Sequence, residues 1–155
     1  MIISDTQSLK ILYAKDELYQ WKDDTNSILE NASNDNKELC VFSSPLDSND
    51  VESISKMLAA ISYNDASYII LEIPENKFLS FKKAQETIKF NKALIFGLPP
   101  AKLMMNITPN YYTPYTINGV KLLFSVGFVQ LNDERNLKTH KLPMWNQVKT
   151  HFAAG

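Results

Sequence analysis

Four carboxylates stand where apolar segments of this 155-residue sequence end: Asp47, Asp50, Glu72 and Glu75. Two carboxylates held close together could divide the work of a general acid and a general base. Each of the four, however, also suits a simpler task, because aspartate caps helices and both residue types are common in solvated turns. We therefore predict structural roles for these carboxylates rather than a catalytic pair.

Cysteine and histidine offer little more chemistry. Cys40 is the single cysteine and lies inside the apolar run ELCVF, which predicts a buried structural thiol rather than a nucleophile. The two histidines, His140 and His151, have no cysteine or carboxylate partner at metal-ligand spacing, so we expect surface histidines and no metal site. A chain without an internal disulfide fits a reducing cytoplasm.

Serine chemistry and phosphate binding are also disfavoured. Ser43 and Ser44 follow an apolar run but lack the flanking glycines of a nucleophile elbow. The four glycines of the chain are isolated from one another, whereas a phosphate-binding loop brings several together so that backbone amides approach the anion. The sequence thus predicts no cofactor.

Apolar runs alternate with segments of helical periodicity from residue 37 onward. ELCVF, SYIILEI, KALIFG and VKLLFSV predict strands buried on both faces. Helices are predicted behind the caps Asp47 and Ser48, along the stripe that includes Phe78, Phe81, Ala84 and Ile88, and from Pro143 with Trp145, Val148 and Phe152 facing the core. This alternation predicts an α/β fold with a mostly parallel sheet and helices on both faces.

Ligands of such sheets bind beyond the carboxyl ends of the strands, which here are SSPLDS, the turn after LEIPEN, and FGLPPAKLMMN. The third of these segments has the position of an active-site loop but none of the usual reactive groups. Its two prolines stiffen the turn, and Leu103, Met104 and Met105 can pack or offer an adaptable surface to another protein. Binding is the better hypothesis for this loop.

Charge divides the sequence into two halves. Residues 1–76 carry 5 lysines and 14 acidic residues, a balance of −9, and residues 77–155 carry 11 basic and 3 acidic residues, a balance of +8. A basic half could serve nucleic acid or an acidic protein, although lysines also simply solvate helices. No apolar run approaches the about 20 residues of a membrane span, so a soluble, cytoplasmic protein is expected.

Three segments carry a resemblance to a known family: SSPL before the first predicted core helix, FGLPP after the third strand, and the ending LK-x5-MW-x2-V from Leu137 through Trp145 to Val148. In these segments, and over about Lys37 to Phe152, the sequence resembles the psi subunit of the bacterial DNA polymerase III clamp loader, most of all the divergent psi-like proteins of the Bacteroidetes. Psi-like C-terminal helices usually run unbroken into the tryptophan, whereas Pro143 interrupts this one.

The resemblance implies a three-layer α/β/α sandwich with a mostly parallel central sheet, similar to the uracil-DNA glycosylase fold. The water-activating motif after the first strand and the later His-Pro-Ser type motif of those enzymes are missing, which implies a protein that is not an enzyme. It implies instead an adaptor of the DNA replication clamp loader that links the ATPase core to other replisome proteins.

The same resemblance implies two parts of the chain. Residues 1–36 would be an N-terminal segment and polar loop that serve as a docking peptide, and residues 37–155 a single α/β domain. Its implied partner-binding residues are Leu9, Leu12, Tyr13 and Trp21. The implied partners are the clamp-loader ATPase subunits, with a chi-like subunit left open, and DNA contact is indirect or weak at most.

Two other functions stay open on the sequence alone. One is a nucleic-acid-processing enzyme of uracil-DNA-glycosylase-like fold with an unrecognised site, in which the lysine-rich helix between Lys77 and Lys92 would follow phosphates. The other is a protein-interaction module of another pathway. Packing of the N-terminal apolar residues on their own domain is the alternative to the docking peptide.

Overall fold

Three parallel strands at the centre of a five-stranded sheet organise the chain. A computed structural model describes residues 24–30 and 36–154. The strands are β1 (Leu39–Ser43), β2 (Tyr68–Glu72), β3 (Lys92–Phe96), β4 (Tyr115–Ile117) and β5 (Val120–Ser125). They lie in the order β2-β1-β3-β5-β4, and only β4 runs antiparallel, against β5. The predicted α/β class with a mostly parallel sheet is confirmed.

The two faces of the sheet bury different halves of each central strand. In β1, Cys40 and Phe42 join one apolar cluster while Leu39 and Val41 join the other, as the two-residue repeat of a strand requires. All five residues of β1 are buried. Strands buried on both faces lack the apolar–polar alternation of half-exposed ones, which is why ELCVF and KALIF read as continuous apolar runs.

Within residues 24–30 and 36–154, five α-helices and several short helical turns pack against these faces. The helices are α1 (Thr25–Leu29), α2 (Ser48–Ala60), α3 (Phe81–Ile88), α4 (Phe128–Leu131) and α5 (Leu142–His151). Helices α1 and α3 contribute to the cluster around Phe42, and α2, α4 and α5 contribute to the cluster around Val41. None of the helices within the described ranges is long and apolar enough to cross a membrane.

The helix starts follow from local hydrogen bonds. Asp47 caps α2 by accepting a hydrogen bond from the Asp50 amide at 2.8 Å, and Asp50 returns a weaker bond to the Asp47 amide at 3.4 Å. Ser80 caps α3 by accepting from the Lys83 amide at 3.2 Å. The predicted capping role of Asp47 is confirmed, and its partner Asp50 completes a reciprocal capping box.

An aromatic contact joins β1 to α3. The rings of Phe42, Phe81 and Phe90 lie 5.4 to 5.7 Å apart, centroid to centroid, in tilted and edge-on arrangements. Phe42 and Phe90 are fully buried. Aromatic pairs at such distances stabilise a core beyond the area that they bury, by roughly 0.5–1.5 kcal/mol per pair.

One strand differs from its prediction. Among the described strands β2 pairs only with β1 and lies at an edge of the sheet, so Tyr68, Ile69 and Ile70 are half-buried instead of fully buried. The three-residue strand β4 lies at the opposite edge. Asn118 and Gly119 connect β4 to β5 with φ angles of 51° and 80°, the two positive values that a tight two-residue hairpin needs.

The C-terminal helix begins after a wider turn. Residues 137–141 form one π-helical turn, in which the Leu142 amide bonds to the Leu137 carbonyl, and α5 then starts with Pro143 in its first turn. Proline fits there because the first-turn amides have no partner within the helix. Val148 and Phe152 are buried as predicted, but Trp145 is only half-buried and Met144 takes the deeper position.

A buried hydrogen-bond network fixes the end of the chain. The Tyr63 hydroxyl donates to the Phe152 carbonyl at 2.8 Å, and Glu38 Oε2 lies 3.4 Å from the same hydroxyl. Lys92 Nζ is 2.8 Å from Glu38 Oε2 and 2.8 Å from the Ala153 carbonyl oxygen. Burial, followed by the negative charge of Glu38 and the hydrogen bond to it, raises the pKa of the Tyr63 phenol.

We predict that Tyr63→Phe lowers the free energy of unfolding by about 1–2 kcal/mol at pH 7, because the Phe152 carbonyl loses its buried donor. The phenol pKa is higher in the folded protein than its unfolded value of about 10. The wild type therefore keeps this contribution below about pH 10 and loses it as pH rises further. Urea denaturation should show that the difference in free energy of unfolding between variant and wild type narrows above pH 10. A difference that widens would contradict the assignment of the Tyr63 hydrogen bond.

Candidate functional site

A cleft opens where β1, β3 and β5 end, with a volume of about 450 Å³. The chain leaves β1 toward β2 on one side and returns from β2 to β3 on the other, so the carboxyl ends of β1 and β3 flank the point where strand order reverses. Open α/β sheets bind their ligands at such a point. The cleft is therefore the first place to look for a function.

Two of the three predicted strand-end segments meet in this cleft. Ser44 and Pro45 after β1 line it, as do Gly97 and Pro99 after β3. No residue of the turn after β2 is among the described residues that line the cleft. The loop after β5, which the sequence did not indicate, completes the lining of the cleft through Gly127 and its neighbours.

The loops approach one another at Gly97. Its φ is +69°, and a Cβ placed there would lie 2.9 Å from Gly127 Cα and 2.9 Å from Ser44 Oγ. Both distances are shorter than atoms of a folded protein tolerate. Gly97 is thus required twice, for its left-handed backbone and for the close contact of three loops.

The carboxylates around the cleft are engaged in the fold. Asp50 lines the cleft, yet its oxygens accept from the Asp47 amide and, at 3.2 Å, from the Asn132 side-chain amide. Glu72 accepts from the Leu46 amide at 2.8 Å, which ties the end of β2 to the loop after β1. These hydrogen bonds agree with the structural roles predicted for Asp50 and Glu72.

Apolar side chains dominate the rest of the surface. Leu46, Leu98 and Phe128 form the walls, and two large side chains at the rim face solvent, Tyr111 with 55% and Val129 with 90% of its surface exposed. Exposed apolar groups around a concave site are typical of surfaces that bind another molecule. The arrangement can bind an apolar group, and Ser44, Gln130 and Tyr111 supply polar atoms at its margin.

Residues of the segment FGLPPAKLMMN pack into the domain core and also line the cleft. Pro100–Leu103 form a 3-10 helix whose Leu103 is buried in the core. Lys102 reaches back to the β2–α3 connection, where its ammonium bonds to the carbonyl oxygens of Glu75 and Lys77 and lies 4.7 Å from the Phe78 ring centre. Packing, the first of the two roles predicted for Leu103, is confirmed.

Tyr112 and His140 form a contact that the sequence did not reveal. The Tyr112 hydroxyl lies 2.8 Å from His140 Nδ1, and the Tyr112 backbone has a positive φ of 61°. Burial raises the pKa of Tyr112, while hydrogen bonds from Ser125 and from the Val126 backbone oppose that shift. His140 is therefore half-buried and hydrogen-bonded, not a surface histidine as predicted, since a partner 28 positions away leaves no local signal.

Metal and thiol chemistry find no support in the described part of the chain. Its histidines, cysteine and carboxylates form no group of three or more that could hold a metal ion. Cys40 is fully buried at the middle of β1, and this burial raises the pKa of its thiol. A neutral thiol without solvent contact is inert, so the predicted structural role of Cys40 is confirmed.

The predicted docking residues Leu9, Leu12, Tyr13 and Trp21 lie outside the described residues. The described chain begins at Asp24, whose amide bonds to the Phe78 carbonyl at 2.7 Å and whose carboxylate accepts from the Phe78 amide at 3.1 Å. Thr25 Oγ1 accepts from the buried Ser80 amide at 2.7 Å. These bonds fix Asp24 and Thr25 to the start of α3 and the residues before it.

No model of a known protein family matches the sequence, and no curated protein matches it.

We predict that Gly97→Ala lowers the free energy of unfolding by about 2–4 kcal/mol, because an added Cβ combines left-handed strain with a backbone collision. Gly119→Ala is the matched control. Its φ is +80° but no atom lies within 4 Å of the added carbon, so a loss of only about 1–2 kcal/mol is expected. Equal losses in urea denaturation would show that the three loops do not constrain residue 97.

Proposed function

We propose that this protein is a non-enzymatic adaptor of the bacterial DNA replication clamp loader, similar to the psi subunit, which links the ATPase core to other replisome proteins. The observation that carries the proposal is the composition of the cleft at the strand-order reversal. Where an enzyme with such a sheet would hold reacting groups, the cleft is lined mainly by prolines, glycines and apolar side chains, with polar atoms of Ser44, Gln130 and Tyr111 at its margin, and Asp50 takes part in a helix cap.

Two segments of the psi resemblance take part in the same contact. SSPL includes Ser44 and FGLPP includes Gly97. These two residues meet in the cleft, where a Cβ added to Gly97 would lie 2.9 Å from Ser44 Oγ. The segments that carry the resemblance include no reactive motif.

The finer fold assignment belongs to the same proposal. We take helices α1 and α3 as one layer, the sheet as the second, and α2, α4 and α5 as the third, which gives the α/β/α sandwich of the uracil-DNA glycosylases without their catalytic groups. The separate apolar clusters on the two faces of the sheet support this assignment. A replication adaptor of this kind would act in the cytoplasm, where the bacterial chromosome is copied.

Residues 1–23 would carry the contact with the ATPase subunits. The segment holds large apolar side chains at Leu9, Leu12, Tyr13 and Trp21, and such side chains supply most of the energy of peptide docking. Asp24 and Thr25 bond firmly to the domain. A deletion that ends at Lys22 leaves Asp24 and Thr25, which make these bonds, in the chain.

We predict that deletion of residues 1–22 leaves the circular dichroism spectrum and thermal transition of the domain in place but weakens binding to a reconstituted clamp-loader ATPase core by at least about 30-fold. The reason is that the apolar anchors are lost while the core clusters keep their contacts. Surface plasmon resonance with the immobilised ATPase core measures the change in affinity.

A full-length variant provides the matched comparison. Alanine at Leu9, Leu12, Tyr13 and Trp21 should reproduce the loss, whereas alanine at Gln7, Lys10, Lys15 and Gln20 of the same segment should not. An unfolded deletion variant would place the segment in the core. A folded deletion variant that binds as tightly as wild type would exclude the docking peptide.

A further inference from the structure

A groove separate from the cleft runs between α2 and α5. It consists of two adjoining depressions of about 360 and 310 Å³ that share Leu131, Asn132 and Lys141. The first is bounded by α2 and α5, and the second continues along the turns that precede α5. The groove is therefore elongated, which suits an extended or helical segment better than a compact small molecule.

Its floor and walls are apolar and adaptable. Leu131 and Met144 are buried beneath it, while Met57 and Trp145 are half-buried and Leu137 is 44% exposed. Unbranched methionines adjust to the shape of what they contact, and a half-buried tryptophan offers a large apolar area. These are the side chains with which helix-binding grooves hold apolar anchors.

Cations stand over the part of the groove that is bounded by α2 and α5. Lys56 and Lys141 line it, and Lys149 lies 5.6 Å from the Trp145 ring centre. Lys56 is paired with Glu52 at 2.9 Å, but no acidic residue follows Glu134 in the sequence, so α5 contributes positive charge alone. At the other end Asp133 is paired with Arg135 at 2.7 Å, and Glu134 is exposed.

We propose that this groove binds an acidic amphipathic helix of a partner protein. The apolar stripe of that helix would lie on Met57, Leu131 and Trp145, and its flanking carboxylates would lie beside Lys141 and Lys149. The groove would match such a helix in charge as well as shape. This match depends on no residue of the N-terminal segment, so it applies whichever pathway the protein serves.

A nucleic-acid strand fits the same groove less well. The carboxylates of Glu52 near one end and of Asp133 and Glu134 at the other would repel a phosphate chain that followed the groove. A helix whose carboxylates lie near its middle would keep them away from the acidic residues at both ends of the groove.

The test uses the full-length protein and a fluorescein-labelled helical peptide of about 18 residues, with leucines at positions i, i+3, i+4 and i+7 and glutamates beside that stripe. Fluorescence anisotropy should show saturable binding that Lys141→Glu weakens by about three- to tenfold. Met57→Gln, which keeps the side-chain length but removes apolar contact, should weaken it by about threefold or more.

Matched controls separate the groove from general charge. Lys82→Glu makes the same charge change on α3, across the sheet, and should leave the affinity within about 1.5-fold of wild type. A second peptide with lysine in place of glutamate should bind at least about tenfold more weakly than the first. Circular dichroism confirms that each variant is folded.

Four results would overturn the proposal. One is the absence of peptide binding at concentrations up to about 1 mM. Another is equal weakening by Lys82→Glu and Lys141→Glu. The third is tighter binding of single-stranded oligothymidylate than of the acidic peptide, sensitive to Lys141→Glu, which would make the groove a nucleic-acid surface. Self-association that Met57→Gln abolishes would likewise assign the groove to a second copy of the chain.

Discussion

The placement of β2 and β3 on opposite sides of β1 is the constraint on which the other features depend. Because β1, β3 and β5 are parallel and buried on both faces, most of their residues are apolar. The same placement separates the connections at the carboxyl ends and opens a crevice there. The loops after β1, β3 and β5 then meet so closely that Gly97 has no room for a side chain.

The polar groups around that crevice are used to hold the loops. Asp50 caps α2 and accepts from Asn132, Glu72 bonds to the loop after β1, and Lys102 joins the loop after β3 to the β2–α3 connection. Apolar side chains remain accessible at the cleft rim and in the groove beside α5.

Much of the sheet could be predicted because its signals are local. The apolar runs of β1, β3 and β5 indicate burial on both faces, and the caps and 3.6-residue periodicity of α2 and α3 define those helices. The edge position of β2 and the pairing of Tyr112 with His140 depend on long-range contacts that leave no pattern in the chain. The β4–β5 hairpin did have a signal, the Asn118–Gly119 pair, which sequence reasoning overlooked.

The cleft was predictable in place but not in composition. The strand-end rule identified the loops after β1 and β3, whereas the contribution of Gly127 and Val129 follows only from the position of β5 beside β3. Trp145 shows the same limit. Helical spacing assigns it to the apolar side of α5, but the depth of burial is set by α2 and α4, which leave it at the edge of the groove.

The adaptor proposal is tested most directly by identifying the proteins that associate with this chain in its own cells. The full-length chain, tagged at its C-terminus and produced at its native level, would be purified under gentle conditions, and the proteins recovered with it would be quantified by mass spectrometry against an untagged strain. The account predicts enrichment of the clamp-loader ATPase subunits. Recovery of the intact, folded protein without any enrichment of those subunits would contradict it.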